Sequence, residues 1–505
     1  MVNNTNPKAR KTSFLKQYME AQNVHNPTEA MNKFIEECNN NDSSNYKLNY
    51  TEGVGVVGTH FGDEGKGKIV DIEIRRLKDE GRFVINIRTQ GGGNAGHTVV
   101  DSLTNKEYHF HYLPSGGLVS DLILIGGGML IDPIKLLKEI DELPKEQRCK
   151  VLVDGRATLC TLLERLMDGY YESCKEKSGA ARVGSTGSGV GPAVSYRALR
   201  CHIQFFKVKA CKNATELGEL FRKIPDIPVE VLNSIKTEYG SLEAYYNDIY
   251  NAVQKLTIVD SMPIIQATKN MGWAMVLEVS QAFGLDCIYG NEGNFVTSTH
   301  TTISGALADG GLLPGDVTKC IGVCKAYASK VGGGPFVTAF EENVYQNSII
   351  AKYIYKSNGE KGVTTGRLRN LGYFDTVAVR AAVQRNGCIL AVNCMDTIGG
   401  VPFGEIKLCI AYQHKETGDI TKFWPNMQHE YEPVYVTLPA NWNIKHATRE
   451  ELVPYEAWQY LAYIEYYTGA HVGYIGTGGS NADIIAVTDF GRAIMDKIKS
   501  IDFEQ

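Results

Sequence analysis

The sequence predicts an α/β fold: a large central, mostly parallel β-sheet flanked by helices, with a P-loop-NTPase-like nucleotide site. Three observations predict it. From Thr51 onward, short runs rich in β-branched residues alternate with helix-like stretches, the order expected of strands joined by crossovers. The runs are continuously apolar rather than alternating, which suits strands covered on both faces. Many end in glycine-rich or polar loops, and ligands in such sheets bind at the carboxyl ends of strands.

Residues 1–50 stand apart as a polar N-terminal extension. "NNTNPKARK" and "CNNNDSSNYK" flank a weakly amphipathic middle, "FLKQYMEAQNVHNPTEAMNKFIEE", which reads as one or two short helices, dispensable for the chemistry. They could instead dock on the body or on a partner subunit. Residues 51–505 read as a single catalytic domain, with no internal repeat and no clean linker. Its strands are "GVGVVGT", "RFVINIRT", "LILIGGGML", "KVLVDG", "WAMVLEVS" and "GCILAVNCMD". Its helices include "IDPIKLLKEIDEL", "YEAWQYLAYIEYYTG" and "ADIIAVTDFGRAIMDKIKS".

Composition narrows the function classes. Of 505 residues, 43% are hydrophobic and 22% charged, with a net charge of −5. This is a globular balance without the basic field that nucleic acid or an anionic membrane would need. No apolar run is long enough for a membrane span, and the N-terminus resembles neither a signal nor a clear transit peptide. The 12 cysteines include no Cys-x-x-Cys pair and read as free thiols in a reducing, cytoplasmic setting. Cys320 and Cys324 have the spacing of one helix face. His109 and His111, two apart in "YHFHYLPSG", read as packing residues rather than a metal pair.

Five loops carry the chemistry. In "GVVGTHFGDEGKGKIVD", Gly62-x-x-x-x-Gly67-Lys68 follows a strand and opens a helix, the context of a phosphate loop. Asp63 and Glu64 are unusual beside phosphates unless one binds a cation or takes a proton. "RTQGGGNAGHTVV" places Asn94 and His97 among glycines, where a histidine is badly placed for packing but well placed for acid–base work. "VGSTGSGVGPAVSYRALR" offers hydroxyl and N–H donors, followed by Arg197 and Arg200. "GVTTGRLRNLGYFDTVAVR" groups Thr364, Thr365, Arg367 and Arg369, and paired arginines suit a carboxylate or phosphate. "AVNCMDTIGG" ends a strand near Asp396, whose carboxylate can accept from N1–H and the exocyclic amine of guanine, or simply cap the strand end.

Taken in order with "GVCKAYASKVGGGPF" and "GYIGTGG", these loops resemble adenylosuccinate synthetase over roughly 90% of the chain. The resemblance implies ligation of IMP and L-aspartate with GTP hydrolysis and Mg²⁺, through 6-phosphoryl-IMP. It implies Asp63 as catalytic base and metal ligand, His97 as catalytic acid, Gly96 as a second metal ligand through its carbonyl, and Lys66 and Gln281 as further catalytic residues. GTP contacts would come from the loop Gly62, Glu64, Gly65, Lys66, Gly67 and Lys68, from Gly96, His97 and Thr98, from Arg369, and at the base from Asp396, Gly476, Thr477 and Gly478. IMP contacts would come from Asp63, Lys66, Asn94, His97, Thr186, Gln281, Thr297 and Arg367, with Arg200 reaching across a homodimer. Aspartate would sit on Val363, Thr364, Thr365, Arg367 and Arg369.

The chain departs from that family in places. His60-Phe61 stands for Gln-Trp, and Glu278-Val279-Ser280-Gln281-Ala282 for Glu-Gly-Ala-Gln-Gly. Ser188 replaces a basic residue and Gly476 a serine. The guanine motif Thr-Lys-x-Asp reads Asn393-Cys394-Met395-Asp396. Two other readings stay open: a paralogue using another purine nucleotide or triphosphate donor, and a non-catalytic nucleotide-binding regulatory protein.

Overall fold

The structure, a computed structural model, describes residues 13–40, 51–100, 106–179, 186–290, 292–293, 295–341, 343–361, 366 and 368–503. Its centre is an eleven-stranded sheet. From one edge the strands run Ile484–Ala486, Val472–Gly476, Ile389–Asn393, Lys319–Lys325, Gly53–Gly58, Ala274–Glu278, Val84–Gly91, Leu122–Ile131, Val151–Asp154 and Ile258–Val259, with Thr158–Leu159 pairing beside Leu122–Ile131. All of these pairs are parallel except the edge pair of Val472–Gly476 with Ile484–Ala486. Gly53–Gly58, Val84–Gly91, Val151–Asp154 and Ala274–Glu278 are buried at every position. This is why their sequences are apolar without alternation.

The strand order reverses at Gly53–Gly58. The chain first builds outward through Val84–Gly91, Leu122–Ile131 and Val151–Asp154, and later fills the other side with Lys319–Lys325, Ile389–Asn393 and Val472–Gly476. Crossovers leaving in opposite directions open a crevice at the carboxyl end of the central strand. A second sheet, centred on Glu405–His414, pairs antiparallel with Ile420–Thr421 and Tyr431–Pro439 and parallel with Phe374–Asp375.

Two expectations are corrected. The stretch 482–500 is not one helix: Ile484–Ala486 forms an edge strand, and the helix begins at Asp489. Its first half is a β-branched run closed by Thr488, which suits a strand. Cys320 and Cys324 lie on the strand Lys319–Lys325, not on a helix. A spacing of four fits one face of either element.

The N-terminal helices Phe14–Gln22 and Pro27–Asn39 pack on the body. Asn26 caps the second by accepting from the N–H groups of Thr28 and Glu29. The Phe14 ring lies 4.6 Å from Trp273, 5.1 Å from Phe34 and 5.6 Å from Phe83. Phe83 and Trp273 immediately precede the strands Val84–Gly91 and Ala274–Glu278, so the extension covers the end of the sheet opposite the crevice. Among the described residues, no helix is long and apolar enough to cross a membrane.

Candidate active site

The phosphate loop is built around a buried carboxylate. Glu64, only 2% exposed, turns back into its own loop. Its Oε1 accepts from the N–H of His60 (2.8 Å) and of Gly62 (3.2 Å), and Oε2 accepts from Lys66 Nζ at 3.2 Å. The loop needs left-handed backbone at Gly62, Asp63 and Gly65. The helix Lys66–Asp79 starts at Gly65 without a side-chain cap or an acid in its first turn. Its first N–H groups therefore face the cleft as an anion site.

Asp63 points the other way, into the cleft. Arg369 donates to its Oδ2 from Nε (3.1 Å) and Nη2 (2.9 Å), and from Nη1 to Glu360 Oε2 at 2.8 Å. Glu360 also accepts from Lys325 Nζ at 2.9 and 2.8 Å and from the Tyr327 hydroxyl. Burial pushes the Glu360 carboxyl up, but Lys325, Tyr327 and Arg369 together hold it below the usual range.

His97 begins the short strand His97–Val100. Its Nδ1 lies 3.8 Å from Glu278 Oε1. Burial drops its pKa to about 4, against the attraction of Glu278, so the ring is neutral at physiological pH. Glu278 is fixed by the N–H and hydroxyl of Ser115, at 2.6 and 3.0 Å. Burial pushes its carboxyl up, while the Arg88 guanidinium and the Ser115 bonds pull it below the usual range. Four buried polar atoms of the cleft lining, Asn94 Oδ1, His97 Nε2, Gln281 Oε1 and Asn393 Oδ1, have no partner among the described residues. Such atoms normally find one, so their arrangement is suited to a polar ligand.

At the far end, the short helix Met395–Ile398 carries Asp396 in its first turn. Burial raises the Asp396 carboxyl, with Lys68 opposing. Lys68 donates to the carbonyls of Gly478 (2.9 Å) and Asp483 (2.6 Å), tying the phosphate loop to the loop after Val472–Gly476. Asn393 donates to the Glu64 carbonyl at 2.7 Å.

The cleft has a volume of about 1080 Å³, the size of a large small-molecule site. It gathers Gly62, Asp63, Glu64, Gly65, Lys66, Gly67, Lys68, Asn94, Gly96, His97, Thr98, Thr186, Gln281, Thr297, Arg369, Asp396 and Gly478. Gly476 and Thr477 lie behind this lining, with the Thr477 hydroxyl donated to the Ala447 carbonyl. Arg200 lies outside the cleft, exposed and in left-handed backbone. Val363, Thr364, Thr365 and Arg367 fall outside the described residues.

Reading the sequence assigned no site role to Arg88, Glu278, Lys325, Asn358, Glu360 and Asn393, all of which line the cleft. The available signal was a charge inside an otherwise apolar strand, Arg88 in "FVINIRT" and Lys325 closing "IGVCK", which demands a buried partner. Asp286, Cys287 and His300 also cluster. Both oxygens of Asp286 accept from loop N–H groups of Ile288, Tyr289 and Thr301, so this cluster braces a loop beside the cleft.

A family model described as adenylosuccinate synthetase matches residues 55–485. The curated adenylosuccinate synthetase of Caldicellulosiruptor bescii is 35% identical over 441 residues, covering 85% of this chain and 98% of that protein. That of Wolinella succinogenes is 33% identical over 450 residues, with the same coverage. Among solved structures, the fully ligated adenylosuccinate synthetase of Plasmodium falciparum matches with a TM-score of 0.77 and 27% identity, over 86% of this chain and 99% of that one. A cyanophage S-2L succinoaminodeoxyadenylate synthetase, bound to dGMP and to dATP as an energy donor, matches with a TM-score of 0.53 and 17% identity, over 89% and 99%. It shares the fold.

Proposed function

The chain belongs to the adenylosuccinate synthetase family, and on that premise we propose that its cleft ligates IMP and L-aspartate to adenylosuccinate, with GTP as phosphoryl donor. The observation that carries the reading is the meeting of Asp63, the neutral His97 with its unpartnered Nε2, and the uncapped helix start at Lys66 in one cleft.

In this reading Asp63 takes the N1 proton of IMP. The 6-oxygen then attacks the γ-phosphorus of GTP, and the bond to the β-phosphate oxygen breaks to release GDP. His97 donates a hydrogen bond where negative charge develops, with Glu278 orienting its ring. Lys66 and the loop N–H groups balance the phosphate oxygens. The amine of aspartate then forms a bond to C6 of 6-phosphoryl-IMP, and phosphate leaves. Asn94, Thr186, Gln281, Thr297 and Arg367 hold IMP; Val363, Thr364, Thr365, Arg367 and Arg369 hold aspartate. Asp396, with the turn Gly476, Thr477 and Gly478, reads the guanine.

The Asp63 carboxylate and the Gly96 carbonyl are hard oxygen donors suited to Mg²⁺. Both Arg369 bonds to Asp63 land on one oxygen, Oδ2. Mg²⁺ held by Asp63 and Gly96 would supply charge neutralisation between the carboxylate and the phosphates. Arg200, exposed and away from the cleft of its own chain, suits contact with the IMP phosphate of a partner in a homodimer. The 12 free cysteines suit a reducing, cytoplasmic setting.

The test is turnover of purified protein with IMP, aspartate, GTP and Mg²⁺, followed by the absorbance of the product purine, with ATP as an alternative donor. Product with GTP is expected. Product only with ATP would redirect the donor assignment. Nucleotide binding without turnover would support the regulatory reading instead.

A further inference from the structure

We propose that Glu360 is a positioning residue that sets the Arg369 guanidinium against Asp63, so that phosphoryl transfer in the cleft depends on it. The role of Asp63 in this inference rests on the function proposed above. Glu360 is 1% exposed, yet its carboxylate faces two cations, Lys325 and Arg369. Lys325 ends the strand beside the central one and also donates to Ser329 at 3.0 Å. Glu360 is thereby fixed to the rigid end of the sheet.

From that anchor it reaches Arg369 twice. The Glu360 carbonyl accepts from the Arg369 N–H at 3.0 Å, and its carboxylate accepts from Nη1 at 2.8 Å. The guanidinium is planar and rigid, so fixing one edge aims the other. The aimed edge carries Nε and Nη2, both on Asp63 Oδ2. Charge balance points the same way. Two carboxylates and two cations alternate as Asp63, Arg369, Glu360 and Lys325. Neutralising Glu360 leaves both cations with Asp63 as their only carboxylate in this chain of contacts. In a site this buried, Arg369 would then close further on Asp63 or swing away from it. Either change disturbs the group that takes the proton.

The experiment compares full-length wild type, Glu360→Gln, Arg369→Lys and the double variant, with kcat and KM measured for each substrate and GTP affinity by calorimetry. Glu360→Gln should lower kcat/KM for GTP by about tenfold or more, because it unbalances a buried charge-assisted bond. Glu360→Asp, which keeps the charge, should recover part of the loss. The double variant should be no worse than Arg369→Lys alone, since Glu360 acts through Arg369. Wild-type kinetics in Glu360→Gln would overturn the proposal, as would losses that multiply in the double variant. So would a variant that melts early but keeps wild-type constants per folded molecule. If wild type binds GTP without turnover, the proposed function fails on its own, and the same cycle is read in GTP affinity.

Discussion

Asn393 fills the space that a side chain at position 476 would need. A Cβ on Gly476 would fall 2.4 Å from Asn393 Oδ1 and 2.8 Å from its Cα. The amide cannot simply turn away, because its nitrogen is held by the Glu64 carbonyl at 2.7 Å. The two residues end adjacent strands, next to the loop proposed to read the nucleotide base. Gly476→Ser should therefore cost about 1–3 kcal/mol through overpacking and raise the KM for GTP. Adding Asn393→Thr removes the side-chain contact but leaves the approach to the Asn393 Cα, so it should return only part of the loss. Thermal melts and donor kinetics check this, and a Gly476→Ser protein as stable as wild type would contradict it.

Asp63 and Glu64 are neighbours with opposite duties. Asp63 faces the cleft with 34% of its side chain exposed, whereas Glu64 is buried against its own loop. Asp63→Asn should lower kcat by at least ~10²-fold, the usual range for a lost general base, with little change in melting temperature. Glu64→Gln should cost about 1–3 kcal/mol of stability, because the two N–H groups it serves lose a charged acceptor. Melting curves and kcat on both variants separate the roles. The reverse pattern would exchange the assignments.

His60 gives a pH prediction. It is 2% exposed, and burial, with Lys325 adding to it, lowers its pKa to about 4 from 6.5. Above pH 6.5 the folded and unfolded forms are both neutral here, and the contribution to stability is fully present. As pH falls from 6.5 to 4 the unfolded chain binds a proton that the native ring refuses, and stability is lost, by up to ~3 kcal/mol. His97, also lowered to about 4, adds a loss of the same sign. His60→Gln should flatten part of this slope in denaturant titrations between pH 7 and 4. An unchanged slope would show that His60 does not titrate as its burial implies.

Much of this was legible in the sequence because backbone-dominated features announce themselves locally. The continuous apolar runs became the central strands, and "GDEGKGK" became a loop at the carboxyl end of the middle one. What stayed hidden depends on pairing across long separations. Glu64 carried no sign that its carboxylate would serve the N–H groups of its own loop. Lys68 reads as a phosphate ligand in any linear pattern, yet its ammonium bridges two carbonyls more than 400 residues away in sequence. Glu360 carries no local signal in "SNGEKG"; its burial follows from Lys325 and Arg369 beside it. Burial decides each case, and burial of a polar group is set by partners that local sequence does not name.

Arg200 tests the proposed assembly. It lies outside the cleft of its own chain, in left-handed backbone just after the helix Val190–Ala198. Arg200→Leu should raise the KM for IMP with little effect on the KM for GTP. Mixing Arg200→Leu with Asp63→Ala, each inactive or impaired alone, should restore activity, because half of the sites in mixed dimers would be complete. Steady-state rates on the mixture check this. Rates equal to the mean of the separate proteins would place Arg200 outside a shared site.

The N-terminal helices make the last prediction. The sequence suggested an extension dispensable for chemistry, with docking left open, and the structure docks it. Phe34 is 3% exposed, stacked parallel to Trp273 at 6.4 Å and edge-on to Phe14 at 5.1 Å. These rings close over residues that precede two central strands, and they share a core with Ile85, Leu124 and Met275. Truncating a buried ring of this kind removes both transfer free energy and packing, typically about 3–5 kcal/mol. Phe34→Ala should lower the melting temperature and expose Trp273, seen as a red shift in its fluorescence. Because the cluster covers the sheet end opposite the cleft, the KM values of the folded variant should stay near wild type. An unchanged melting temperature would mean that the helices do not hold this position in solution. Altered KM values in a fully folded variant would mean that the extension reaches the chemistry through the strands it covers.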